Sequence, residues 1–187
     1  MSAYGYEGQS AEELLALEGT KEVWEITGMF VDALTYGRML KPHPECSQEE
    51  MTIIVMSNME MGVNGEGILG WMANDPHLAP LALEGLKAIG CQLIAKNLED
   101  MITGIGLPLD FTAKQIDELD NEIMELQDSE QGQSSPRMKQ IDDHSDSFDE
   151  FYYAFGEAHN ENTTDLLWDY IKANRHRISI TKTEVKE

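Results

Sequence analysis

LALEGLKAIGCQLIAKNLEDMI, residues 81–102, decides the fold. Leu83, Leu86, Ile89, Leu93, Ile94 and Leu98 recur at three- and four-residue steps. That spacing lines one face of a helix; a half-buried strand would alternate apolar and polar residues instead. The stretch reads as one long helix, and its neighbours carry the same signals.

Upstream, Ser47 and Glu50 have capping-box spacing, in which each side chain can satisfy the other's free backbone N–H. They open MTIIVMSNMEM, residues 51–61, which reads as a buried helix. Thr52, Ile53, Ile54 and Val55 also favour strands, so periodicity alone leaves a strand open there. Gly62, Gly65, Gly67 and Gly70 punctuate the next stretch, and a short helix is expected after Asn64 as N-cap. Earlier still, Ser10 and Glu13 form another capping box. A helix is expected from about Lys21 to Leu40, with Val23, Trp24, Ile26, Phe30, Val31 and Leu34 inward. The KPHP run at 41–44 stops it, because proline removes a donor and restricts the residue before it.

Downstream, GIGLPLD is a loop and Thr112 with Gln115 starts the next helix. QDSEQGQSSPRMK has little apolar content, so residues 127–140 read as a mobile loop. Ser147 with Glu150 is expected to cap a helix through FDEFYYAFGE. Thr163 or Thr164 starts a last helix, whose closing Lys172, Arg175 and Arg177 suit the negative end of a helix dipole. Residues 178–187 form a short strand or a free tail. The expectation is all-α: one compact helical domain over residues 1–187, about seven helices, with an acidic surface.

Formal net charge is -22, from 35 Asp+Glu against 13 Lys+Arg. The excess is uneven. Residues 97–171 hold 19 acidic residues and only Lys114, Arg137 and Lys139 as basic ones. Such a surface repels nucleic acid and anionic lipid and attracts basic proteins. No signal peptide or apolar run long enough for a membrane span is present, and Cys46 and Cys91 read as reduced thiols, so a cytoplasmic protein is expected.

Projected at about 100° per residue, the helix 113–127 carries Ile116, Leu119, Ile123 and Leu126 on one stripe. Asp117, Glu118, Glu122, Glu125 and Asp128 spread over the other side, with Asp120 beside the stripe. This side reads as almost wholly acidic and unneutralised along the helix. Carboxylates at helical spacing lie about 5–6 Å apart, only slightly closer than phosphates along a DNA strand. Asp142, Asp143, Asp146 and Asp149 form a second acidic cluster.

Metal and catalytic chemistry find little support. From Asp142, His144 and Ser147 fall where a calcium loop needs oxygen and glycine, and no two histidines have helical ligand spacing. GVNGEGILGW follows no clear strand and precedes no lysine, so its glycines read as packing or turn positions and not as a phosphate cradle. No cofactor, metal or enzymatic role is expected.

EMGVNGEGILGW, residues 60–71, with Glu60, Asn64, Gly65 and Trp71, resembles the signature of the DNA mimic protein 19 family. Asn64 and Gly65 match its central motif directly; Glu66, Gly67 and Leu69 depart from it. LALEGLKAIGCQLIAKNLEDMI, FDEFYYAFGE and LLWDYIKAN resemble that family's later segments, so the likeness covers about residues 47–174. The resemblance implies an all-α acidic domain, often dimeric, that occupies the DNA-binding surface of a transcription factor. The expected partner is thus a basic DNA-binding protein, met by the acidic residues of 117–149. Met51–Met61 is the segment expected to pack against a second copy. The alternatives are an immunity-type inhibitor of a basic toxin, anchored by Trp71, Tyr152, Tyr153 or Trp168, and acidity that serves solubility alone.

Overall fold

The computed structural model describes residues 4–35, 46–129, 135–159 and 162–180. They form eight α-helices and no strand: α1 Ala11–Leu15, α2 Val23–Thr35, α3 Gln48–Asn74, α4 Ala82–Ala88, α5 Gln92–Gly104, α6 Ala113–Asp128, α7 Pro136–His159 and α8 Thr163–Asn174. The KPHP run lies outside the described residues. No described helix is long and apolar enough to cross a membrane.

The axis of the fold is α3, against which α2, α4, α6, α7 and α8 all pack, while α5 lies against α4 and α7. Five successive residues, Thr52–Met56, are buried in it. A helix enclosed on all sides has no polar face, so its apolar run could not reveal its period. The Ser47–Glu50 capping box is formed, with N–H to side-chain distances of 2.9 and 3.1 Å, and so is the one at Ser10–Glu13. Within Met51–Met61, Met51, Ser57 and Glu60 are half-buried, Met61 is exposed, and the other seven residues are buried.

Several expected boundaries move. Asn64 caps nothing; it lies exposed on α3. The break comes at Gly67, whose φ of 73° and ψ of 174° belong to a region that is essentially glycine's alone. The stretch 81–102 is two helices. Gly90, at φ 87°, ends α4 in a Schellman turn: Cys91 N–H donates to Leu86 O at 2.9 Å and Gly90 N–H to Lys87 O at 3.1 Å. On the expected inner side of α2, Trp24 is instead 57% exposed.

Helix α7 starts at Pro136, eleven residues before the expected cap at Ser147, which is an exposed position inside the helix. Ser135 Oγ accepts from Arg137 N–H at 3.2 Å, and proline occupies the first helical position, where no donor is needed. Thus Gln127 and Asp128 belong to α6 and residues 136–140 to α7. Past α8, Ile178 and Ile180 are buried, and Ser179 N–H donates to Glu50 Oε1 at 2.7 Å.

Candidate protein-binding surface

The acidic residues singled out above divide into three groups. In the first, a cation is already present. Lys114 Nζ lies 3.1 Å from Glu118 Oε1, one helical turn away, so the α6 surface is not left unneutralised along its length. Arg137 of α7 grips Glu122 with two bonds, Nε at 2.9 Å and Nη2 at 3.0 Å. This hydrogen-bonded guanidinium holds the Glu122 carboxyl below the usual carboxylate range. Lys139 lies 2.6 Å from Asp143.

The second group is Asp149 alone. Its Oδ1 accepts from Ile68 N–H at 2.9 Å, so it caps the helical run that restarts after Gly67. The other oxygen would meet a Cβ on Gly67 at 2.6 Å, which leaves no room for a side chain there. Burial pushes this carboxyl up, against the lowering effect of the N–H bond. Asp149 is therefore a structural group of the α3–α7 junction.

In the third group, Asp117, Glu125 and Asp128 are exposed on α6, Asp146 is exposed on α7, and Asp120 and Asp142 are half-buried. None of the six has an ion pair among the described residues. Asp120 and Asp142 flank a cavity of about 300 Å³ between α3, α6 and α7, floored by Leu69, Met72, Ile116, Ile123 and Met138. The surface is thus smaller than the sequence suggested, and apolar ground lies within it. No three His, Cys, Asp or Glu side chains among the described residues are placed to share a metal ion.

The motif residues lie elsewhere. Trp71 is 1% exposed and donates to Asn58 Oδ1 at 2.5 Å. Gly62 makes room for its indole, since a Cβ there would meet Trp71 Cδ1 at 2.2 Å. Gly65 is exposed on open space. Glu60 accepts from the hydroxyls of Thr163 at 3.0 Å and Thr164 at 2.7 Å, which ties α3 to the start of α8. Burial, helped by the Glu60 charge, pushes the neighbouring Tyr152 phenol well up. Trp168 is buried and donates to Glu18 Oε1 at 2.7 Å, so neither it nor Trp71 is free to anchor a partner. Tyr153 is 52% exposed, but its hydroxyl donates to Val63 O at 2.6 Å. Trp24, also exposed, was placed inward by the sequence because both sides of α2 are apolar.

No curated protein and no solved structure matches the chain. The family model described as DMP19-like protein matches residues 44–174, from just before α3 to the last residue of α8. That span takes in the Gly67 break, the Asp149 cap and both acidic helices, and the chain belongs to the DMP19-like family.

Proposed function

We propose that the chain is a DNA mimic, which covers the DNA-binding surface of a basic protein with carboxylates placed as phosphates would be. The observation that carries this reading is the exposed set Asp117, Glu125 and Asp128 on one side of α6, which has no ion pair among the described residues. From Asp117 to Asp128 the helix rises about 16 Å, about the axial rise of five phosphates of one DNA strand. Asp142 and Asp146 extend the set onto α7. Each exposed carboxylate contributes a partly screened charge, so recognition is spread over the row. Membership of the DMP19-like family supports the same reading.

The test is capture from the source lysate at low salt, followed by elution with rising salt and mass spectrometry. Recovery of one basic DNA-binding protein, released near the salt that also frees it from DNA, is expected. The triple variant Asp117→Asn, Glu125→Gln, Asp128→Asn should weaken that capture by about tenfold or more, if each charge contributes about 0.5 kcal/mol. Glu122→Gln, whose charge Arg137 already meets, should change it little. Release that ignores salt, or equal loss in both variants, would count against mimicry. A basic toxin in the eluate would indicate an immunity protein, and scattered basic proteins would leave solubility as the role of the charge.

A further inference from the structure

Helices α2 and α3 face each other with one matched set of positions. From α2 come Trp24, Thr27, Gly28 and Val31; from α3 come Ser57, Glu60, Met61 and Asn64. Both sets follow the spacing i, i+3, i+4, i+7, so each is a continuous stripe of its helix. Tyr4 and the start of α8 stand at the ends, and the space between is a cavity of about 200 Å³ open to solvent.

The walls are built. Tyr4 N–H donates to Asp32 Oδ2 at 2.9 Å, and the Tyr4 ring rests on Gly28, where a Cβ would meet it at 2.4 Å. Trp24 stands edge-on to Tyr4 with ring centroids 6.5 Å apart. Inside, the Ser57 hydroxyl is buried with no hydrogen-bond partner among the described residues. A buried hydroxyl left so costs free energy. Among the described residues, Glu60 is the only charged side chain of the lining, and no lysine or arginine lines it. Its oxygens take one threonine hydroxyl each, and a carboxylate has about four acceptor sites, so it can accept more.

We propose that this cavity binds a guanidinium group on a short alkyl stem. The Glu60 carboxylate is an acceptor that a planar five-donor cation can pair with, and the indole and phenol rings of Trp24 and Tyr4 in the same lining can take its face. The volume is below the roughly 300 Å³ at which ordinary small-molecule pockets begin, which fits one side-chain-sized group. The site is distinct from the α6–α7 carboxylates and does not depend on the mimic reading. The group can arrive as a free small cation or as an arginine side chain.

Three probes decide it: ethylguanidinium chloride, the peptide acetyl-Gly-Arg-Gly amide, and the same peptide with uncharged citrulline for arginine. Calorimetry and tryptophan fluorescence are the readouts, since Trp24 is exposed while Trp71 and Trp168 are buried. Saturable binding of at least one guanidinium probe is expected, with the citrulline peptide about tenfold weaker. Glu60→Gln should weaken binding about tenfold or more. Trp24→Leu, an exposed change that leaves the net charge intact, should weaken it several-fold and keeps the test open if Glu60→Gln misfolds. Binding by both guanidinium probes marks a free cation as sufficient, and binding by the peptide alone marks an arginine side chain. The α6 triple variant should bind as the parent does. No saturable binding, equal binding of the citrulline peptide, insensitivity to Trp24→Leu in the folded protein, or loss in the α6 variant would each overturn the proposal.

Discussion

Asp149 serves two opposed demands with one carboxylate. Its oxygen satisfies the N–H that the Gly67 break frees, yet burial disfavours its charge. Its folded value lies above the ordinary one, so the folded protein holds this proton more tightly. Stability from this group is therefore highest at low pH and falls as pH rises through the window between those two values. Asp149→Asn keeps the acceptor and removes the charge. It is expected to be neutral or stabilising at neutral pH, with the advantage shrinking as pH falls through the carboxylate range. Asp149→Ala removes the acceptor and should cost about 1–2 kcal/mol. Urea denaturation of both variants measures this, and an Asn variant as damaged as Ala would show that the charge itself holds the junction. The sequence offered no sign of this role, because the N–H and its acceptor are 81 positions apart. In the sequence Asp149 looked like one more surface acid.

Helix ends show what local chemistry reveals and what it hides. The boxes at Ser10 and Ser47 were legible because their bonds join residues three apart. The same pattern misled at Ser147, where a helix already under way needs no cap. The Ser135–Pro136 start was legible in principle, but the polar composition around it argued for a loop. The Gly90 turn went unread because the apolar spacing continues across it, although Leu93 of that series is 50% exposed in the structure. Between elements, the Glu122–Arg137 pair links α6 to α7. With its folded value depressed, Glu122 contributes stability above the ordinary carboxylate value and loses it as pH falls through the depressed one. Glu122→Gln is expected to cost less than about 1 kcal/mol at neutral pH, because the pair is partly exposed and screened. The cost should vanish in acid. Denaturant midpoints at the two pH values check it; a cost that persists in acid would assign the effect to packing.

Across the whole molecule, charge was the most legible property and its pairing the least. Composition showed the excess of acid on the second half of the chain; only the fold shows that Glu118, Glu122 and Asp143 have cations and that six of their neighbours have none among the described residues. At a net charge of -22, self-repulsion opposes the compact state. Sodium chloride, which screens it, is expected to raise the melting temperature by a few degrees between low and physiological ionic strength, about 1 kcal/mol at this size. Thermal melts at fixed pH measure this, and a falling melting temperature would mean that the local pairs outweigh the repulsion. The cavity beneath Trp24 was the part of the molecule least visible in sequence, since its stripes on α2 and α3 are both spaced as core residues are.

The segment just after α8 has a consequence for how the protein should be cut. The family match ends at residue 174. Beyond it, Arg177 lies 2.5 Å from the buried Glu49, and Ser179 N–H reaches the buried Glu50. A fragment trimmed to the match would bare both carboxylates at the mouth of the central helix and strip Ile178 and Ile180 from the core. An expression boundary drawn at the end of the family match would fall inside the packed structure.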